Sequence, residues 1–423
     1  MKKILLLLVL SFTLFSCGND DEPEMPQANQ GRTVLAFFWA DNDLNDVLRN
    51  NIRYMISGLQ NMTKPAALVV YWDGKSSDPN WPDPTIIKYV TDGKGNINDL
   101  SKEEVSSLIT GASSSVYDYI EIGTVEKTYP SQTSTEKSVM RTVIADMMGC
   151  CRSESYGIVF GSHGSGWLPT ITGRSIGVDG ANANTARIPE LAQALQEANP
   201  QKFDFVLFDA CMMGSAEVYY ELRNATKYCV ASLLDVPGDG FPYTNILPYL
   251  YQSDLTAALK SVCDTYVNYY NRVYWGTASL VDCGKMEDLA AVTKEVLLAY
   301  QDNMKDVDVE ALQEYGRERG FNTNFVGNAY DMVQYIETLC GGEVPADFNS
   351  VFNQTVLYTN YTPVVGTYCD YYQIDGDNYC GMGMYIPNAL TDTKHNLWNN
   401  YFKTSIAWYR AAGWADTESI WGN

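Results

Sequence analysis

Histidine is scarce in the 423-residue chain, occurring only at positions 163 and 395. His163 stands in YGIVFGSHGSGW, directly after an apolar run and flanked by Gly161, Gly164 and Gly166. Cys211 stands in FVLFDACMMG, also directly after an apolar run. A lone cysteine usually packs as a small hydrophobe. Beside a histidine its thiolate is a nucleophile for a carbonyl carbon, and the imidazole takes the thiol proton and returns it to a leaving amine. Gly164 lets the backbone approach closely, so its N–H and that of Cys211 could form an oxyanion hole, where one donor is worth roughly 10²–10³ in rate. Asp209 precedes Cys211 by two positions and so shares its side of an extended chain. A carboxylate there could receive a basic substrate side chain; its structural alternative is to cap the following helix. His395, in DTKHNLW, follows no strand pattern and reads as a surface residue.

The elements that must position these groups alternate along the chain. Buried-strand patterns occur at 33–38, 67–72, 157–161, 203–208, 228–232, 277–281 and 383–386. Helical patterns fall at 44–59, 135–148, 188–197, 215–224 and 255–270. Such alternation predicts an α/β fold with a mostly parallel central sheet and helices on both faces. Positions 163 and 211 are 48 residues apart, enough for one right-handed βαβ crossover. Adjacent parallel strands lie roughly 4.8 Å apart. His163 and Cys211 then share the crevice beyond the strand ends, where open α/β sheets bind ligands. A helix starting near Gly214 would favour the thiolate through its N-terminal amides.

Residues 1–16 read as a signal peptide: Lys2 and Lys3 precede an apolar stretch too short to span a membrane comfortably. LFSC at its end resembles a bacterial lipobox, which makes Cys17 the lipidated residue. Residues 17–31 form an acidic flexible tether, 32–288 a catalytic domain with an insertion at 73–134 carrying short strands at 85–90 and 119–122, and 289–423 a smaller C-terminal subdomain packed on the sheet. The acids after Cys17 resemble a surface-export signal, which predicts a surface-exposed outer-membrane lipoprotein held by lipid alone; an inner-leaflet lipoprotein is the alternative. Removing residues 1–16 leaves 27 basic against 51 acidic side chains, a net charge of −24. Nucleic acid and anionic membranes are repelled, and basic peptides are drawn in. Nine cysteines remain after Cys17, without the regular spacing of a disulfide framework or a CxxC zinc pair.

His163, Gly164, Gly166 and Trp167, followed by Asp209 to Met213 (DACMM), resemble the clostripain family of cysteine peptidases. TVLAFFWADNDL (33–44), VASLLDVPGDGFPY (230–243) and GMGMYIP (381–387) extend the resemblance over most of residues 32–410. It implies a caspase-haemoglobinase-like fold, a His163/Cys211 dyad, and Asp209 as floor of a pocket for arginine or lysine before the scissile bond. Leu233 follows Ser232 where the family often has glutamate, and Ser162 stands where an acid often precedes the histidine. Some relatives mature by cleavage between the two motifs, where Arg174 and Arg187 are the arginines available. The partner is then a peptide or protein substrate, and the oligomeric state is left open. No cofactor is required, although calcium serves some relatives. The calcium-loop look of DNDLND (41–46) fails, because Asp46 replaces the glycine and Ile52 the final glutamate. The competing function is a catalytically silent surface lipoprotein that binds protein or glycan, for which neither His163 nor Cys211 is needed.

Overall fold

The computed structural model describes residues 31–77, 83–110, 119, 122–169, 175–180, 184–271, 276–315, 329–366, 371–387 and 393–421. Strand β1 (Arg32–Ala40) shows why a sheet forms at the centre. Leu35, Phe37 and Trp39 enter the core on one face, while Val34, Ala36, Phe38 and Ala40 enter the core on the other. Period-two projection of a continuous apolar run produces this burial on both sides. In chain order there follow β2 (Ala66–Gly74), β3 (Thr85–Thr91), β4 (Thr124–Thr128), β5 (Ser155–Gly161), β6 (Ile176–Asp179), β7 (Asn184–Ala186) and β8 (Phe203–Asp209). Next come β9 (Thr226–Ala231), β10 (Thr277–Asp282), β11 (Glu314–Tyr315), β12 (Ala329–Asp331) and β13 (Val356–Tyr361).

Nine strands make the main sheet in the order β13-β10-β9-β8-β5-β1-β2-β3-β4. From β9 to β2 the pairs are parallel; β3, β4, β10 and β13 extend the edges antiparallel. Helices Asn45–Gln60 and Leu255–Tyr270 cover one face. Helices Lys137–Cys150, Ile188–Ala198, Ala216–Leu222 and Met286–Ala299 cover the other. The chain runs from β1 to β2 on one side and returns to β5 on the other, so strand order reverses between β1 and β5. A crevice opens beyond the carboxyl ends of strands at such a reversal.

Two expected strands differ. The second strand of the 73–134 region is β4, whose sequence TVEKT is exposed throughout; of the expected strand 119–122 only 119 and 122 are described, and neither lies in a strand. A polar edge strand carries no apolar alternation, whereas Tyr119 and Ile122 are apolar because they are buried beneath the sheet. Of 383–386 only Gly383–Met384 is extended, and it pairs with β12 in a small separate sheet. The main-sheet strand of that region is β13, which pairs β10. Cys150, Cys151, Cys211, Cys229, Cys263, Cys283, Cys340 and Cys380 are all free thiols. Cys17, Arg174, the signal peptide and all of the tether but residue 31 lie outside the described residues.

Candidate active site

The parallel ladder of β5 and β8 ends with Gly161 opposite Asp209. His163 and Cys211 each follow that last pair by two positions, so the register alone sets them side by side. Both line one cleft, together with Leu44, Leu48, Asn51, Asp209 and the segment Val236–Gly238. The cleft is narrow, with about 20 Å³ of room for water-molecule centres, enough for about one water.

Buried Ser162 fixes the start of the histidine loop. Its hydroxyl donates to Trp39 O at 3.0 Å and accepts from Val178 N at 3.2 Å. Strand β6 holds the loop from the other side, with Gly177 N–H donating to His163 O at 3.0 Å and Ser165 N–H to Ser175 O at 2.8 Å. Trp167 anchors the far end, packing on Tyr385, Tyr401 and Phe402 at centroid distances of 5.2, 6.2 and 5.4 Å. Gly164 must be glycine for reasons of space: a Cβ would lie 2.6 Å from Cys211 O and 3.2 Å from Cys211 N. The two backbones that carry the expected oxyanion donors therefore touch.

Asp43, in the turn after β1, places Oδ1 2.7 Å from His163 Nε2. A carboxylate only accepts, so Nε2 carries the hydrogen and Nδ1 is left as the basic nitrogen of the neutral ring. The sequence shows Asp43 within the calcium-like DNDLND and the family-like TVLAFFWADNDL, but carries no reading of it as the partner of His163. The available signal was its place at the end of β1, the third strand end at the same sheet edge.

Cys211 faces the segment after β9. Val236 N–H donates to Sγ at 3.3 Å, and the thiol donates to Val236 O at 3.7 Å. Burial first, then the charges of Asp235 and Asp209, push the thiol pKa well up, so it is held protonated in this arrangement. Met212 takes φ +59°, and the helix expected near Gly214 begins at Ala216 with Ser215 as its N-cap. The donor to sulfur is the Val236 amide.

Asp209 is buried at the cleft floor, where Oδ2 accepts from Tyr243 OH at 2.6 Å and from Asn51 Nδ2 at 3.3 Å. Phe241 N–H supplies a further donor. Burial pushes its pKa up to about 6, against the pull of these donors. Its partners come from the first helix and the 241–243 segment, not from the helix that follows it. Leu233 is drawn away into a small apolar cluster with Leu234, Tyr315 and Ile374, so it does not line the cleft. His395 lies on the helix Thr393–Ser405, remote in sequence from these elements. Arg187 precedes helix Ile188–Ala198, its guanidinium over Tyr401 at 5.9 Å.

Among the described residues no group of three or more histidine, cysteine or acidic side chains is placed to hold a metal ion. Burial raises Asp41, Asp73 and Asp179, Asp73 to about 8 with help from the charges of Asp179 and Asp41, and Asp179 to about 6 with help from Asp41. Among the described residues no helix is long and apolar enough to cross a membrane.

A family model described as the clostripain family matches residues 36–421. Among solved structures, the chain is similar to a secreted C11 cysteine protease from Bacteroides thetaiotaomicron in complex with an irreversible peptide inhibitor. The identity is 26% and the TM-score 0.71, over 91% of this chain and 99% of that one. It is also similar to an inactive zymogen C11 protease from Parabacteroides distasonis, at 24% identity and TM-score 0.72, over 92% and 99% of the two chains. No curated protein sequence matches.

Proposed function

Because the chain belongs to the clostripain family of cysteine peptidases, we propose that Cys211 and His163 are its dyad and that it cuts after a basic residue held by Asp209. One observation carries the reading: a thiol, an imidazole with Nε2 tied to Asp43, and a buried carboxylate converge on one cleft at the strand-order reversal. Leu44 and Leu48 give an apolar wall for a long aliphatic stem, and Asp209 lies at the polar floor for the cation at its end.

In the reaction, the Cys211 thiol gives its proton to His163 Nδ1 and the sulfur attacks the scissile carbonyl carbon. The oxyanion takes the N–H groups of Gly164 and Cys211. The C–N bond then breaks, and His163 passes the proton to the leaving amine. Water, giving a proton to His163, attacks the thioester carbon and frees the acid product and the thiol. For this cycle Sγ must leave Val236, so Val236–Gly238 has to withdraw and widen the cleft. Maturation by self-cleavage at Arg174 or Arg187, lipidation of Cys17 and display at the outer-membrane surface complete the proposal; the secreted relative accords with a site outside the cytoplasm.

Cleavage of a peptide library by the chain lacking residues 1–30 tests the reading, with Cys211→Ala and His163→Ala alongside. Cuts after lysine or arginine that both substitutions abolish support it. Cysteine-dependent cuts after other residues would remove Asp209 from its role.

A further inference from the structure

The helix Asn45–Gln60, with Leu44 just before it, presents Leu44, Leu48 and Asn51 to the cleft, positions three and four apart on one face. The first two are apolar and the third, deepest beside Asp209, is polar. Asn51 is fully buried, with no accessible surface. Its Nδ2 donates to Asp209 Oδ2 at 3.3 Å, while its Oδ1 is buried without any hydrogen-bond partner. The amide orientation follows from chemistry, since an Oδ1 turned to an ionised carboxylate would be repelled. A buried carbonyl oxygen without a donor is costly to keep, unless a ligand supplies the donor.

The acceptor sites left open on Asp209 define the chemistry of that ligand. An ionised carboxylate offers about four lone-pair sites. Tyr243 OH and Asn51 Nδ2 both occupy Oδ2, and Phe241 N–H takes a third site. Gly240 presses on the same group: its φ is +67°, and a Cβ there would lie 2.4 Å from Oδ2 and 2.8 Å from Oδ1. A guanidinium fork needs one open site on each oxygen, and Oδ2 has none. An ammonium has three hydrogens that rotate to separate acceptors.

Resting on the reading of Asp209 as the floor of the specificity pocket, we propose that Asn51 is a specificity-determining residue. Its Oδ1 accepts one hydrogen of a lysine ammonium while Asp209 accepts another, so the cleft selects lysine over arginine before the scissile bond.

Peptides differing only at that residue test this with the wild-type chain: lysine, Nε-monomethyl-lysine, Nε,Nε-dimethyl-lysine, arginine and norleucine. The charge is kept through the methyl series while the donors fall from three to two to one. The expected kcat/KM is roughly tenfold higher for lysine than arginine, within about threefold for monomethyl-lysine, and roughly 100-fold lower for dimethyl-lysine, since a site built for a donor rejects the analogue lacking it. In Asn51→Leu, with folding checked by thermal melting, the lysine-to-dimethyl-lysine ratio falls to within about threefold of unity. Equal cleavage of lysine and dimethyl-lysine by the wild type overturns the proposal, as does a ratio unchanged in Asn51→Leu. If that variant does not fold, the wild-type series decides alone. Norleucine cleaved as well as lysine would instead overturn the role of Asp209 itself.

Discussion

Gly164→Ala probes a close backbone approach within the site. The added methyl would stand 2.6 Å from Cys211 O, 3.0 Å from Ala210 Cβ and 3.2 Å from Cys211 N, where ordinary contact begins at 3.4 Å. About 0.8 Å must be absorbed, the difference between 3.4 and 2.6 Å. None of the three atoms can rotate away, because two are backbone and the third is an alanine methyl. The segments carrying His163 and Cys211 therefore separate, and with them the two N–H groups proposed to bind the oxyanion. A bond of about 2.9 Å stretched by that amount is no longer a hydrogen bond. Losing one oxyanion donor costs roughly 10²–10³ in kcat, about 2.7–4 kcal/mol of transition-state stabilisation. Steady-state kinetics on a basic peptide should show kcat falling by that factor, with KM within a few-fold and thermal unfolding still cooperative. A kcat within threefold of wild type would refute the reasoning, since the methyl would have been accommodated without disturbing the donors.

In its proposed role Asp209 must be ionised to hold a cation, and its pKa is raised to about 6. The kcat/KM ratio of lysine over norleucine peptides should fall about tenfold per pH unit below that value and level off above it; a ratio flat from pH 5 to 8 would contradict this. Asp43→Ala should lower kcat roughly tenfold with KM kept, a modest loss because the carboxylate side chain is 81% exposed and screened by solvent. Asp43→Asn, whose Oδ1 still accepts from Nε2, should recover most of the rate; equal loss in both variants would deny a positioning role. Asp73 titrates higher in the fold, at about 8, than at its ordinary 3.8. Stability from keeping it protonated is complete below 3.8 and lost as pH rises through about 8. Asp73→Asn should therefore melt a few degrees above wild type at pH 9, about 1–3 kcal/mol, with the gap closing by pH 5; an unchanged gap would disprove the linkage.

The strands of the parallel centre and the groups at their ends are legible along the chain. A strand buried on both faces must be apolar in nearly every position, so β1, β5 and β8 announce themselves locally, as do His163 and Cys211 just beyond two of them. Polar β4 gave no such signal, because an exposed edge strand is held by backbone hydrogen bonds that leave no mark on side-chain pattern. What surrounds His163 and Cys211 depends on the three-dimensional fold. Asp43 reaches His163 across 120 positions, Asn51 reaches Asp209 across 158, and Val236 meets the sulfur across 25. Periodicity states which face of an element is buried; it does not state which loops meet at one sheet edge. That follows from strand order, and the reversal between β1 and β5 brings the turn and helix after β1 over Cys211, encoded far along the chain.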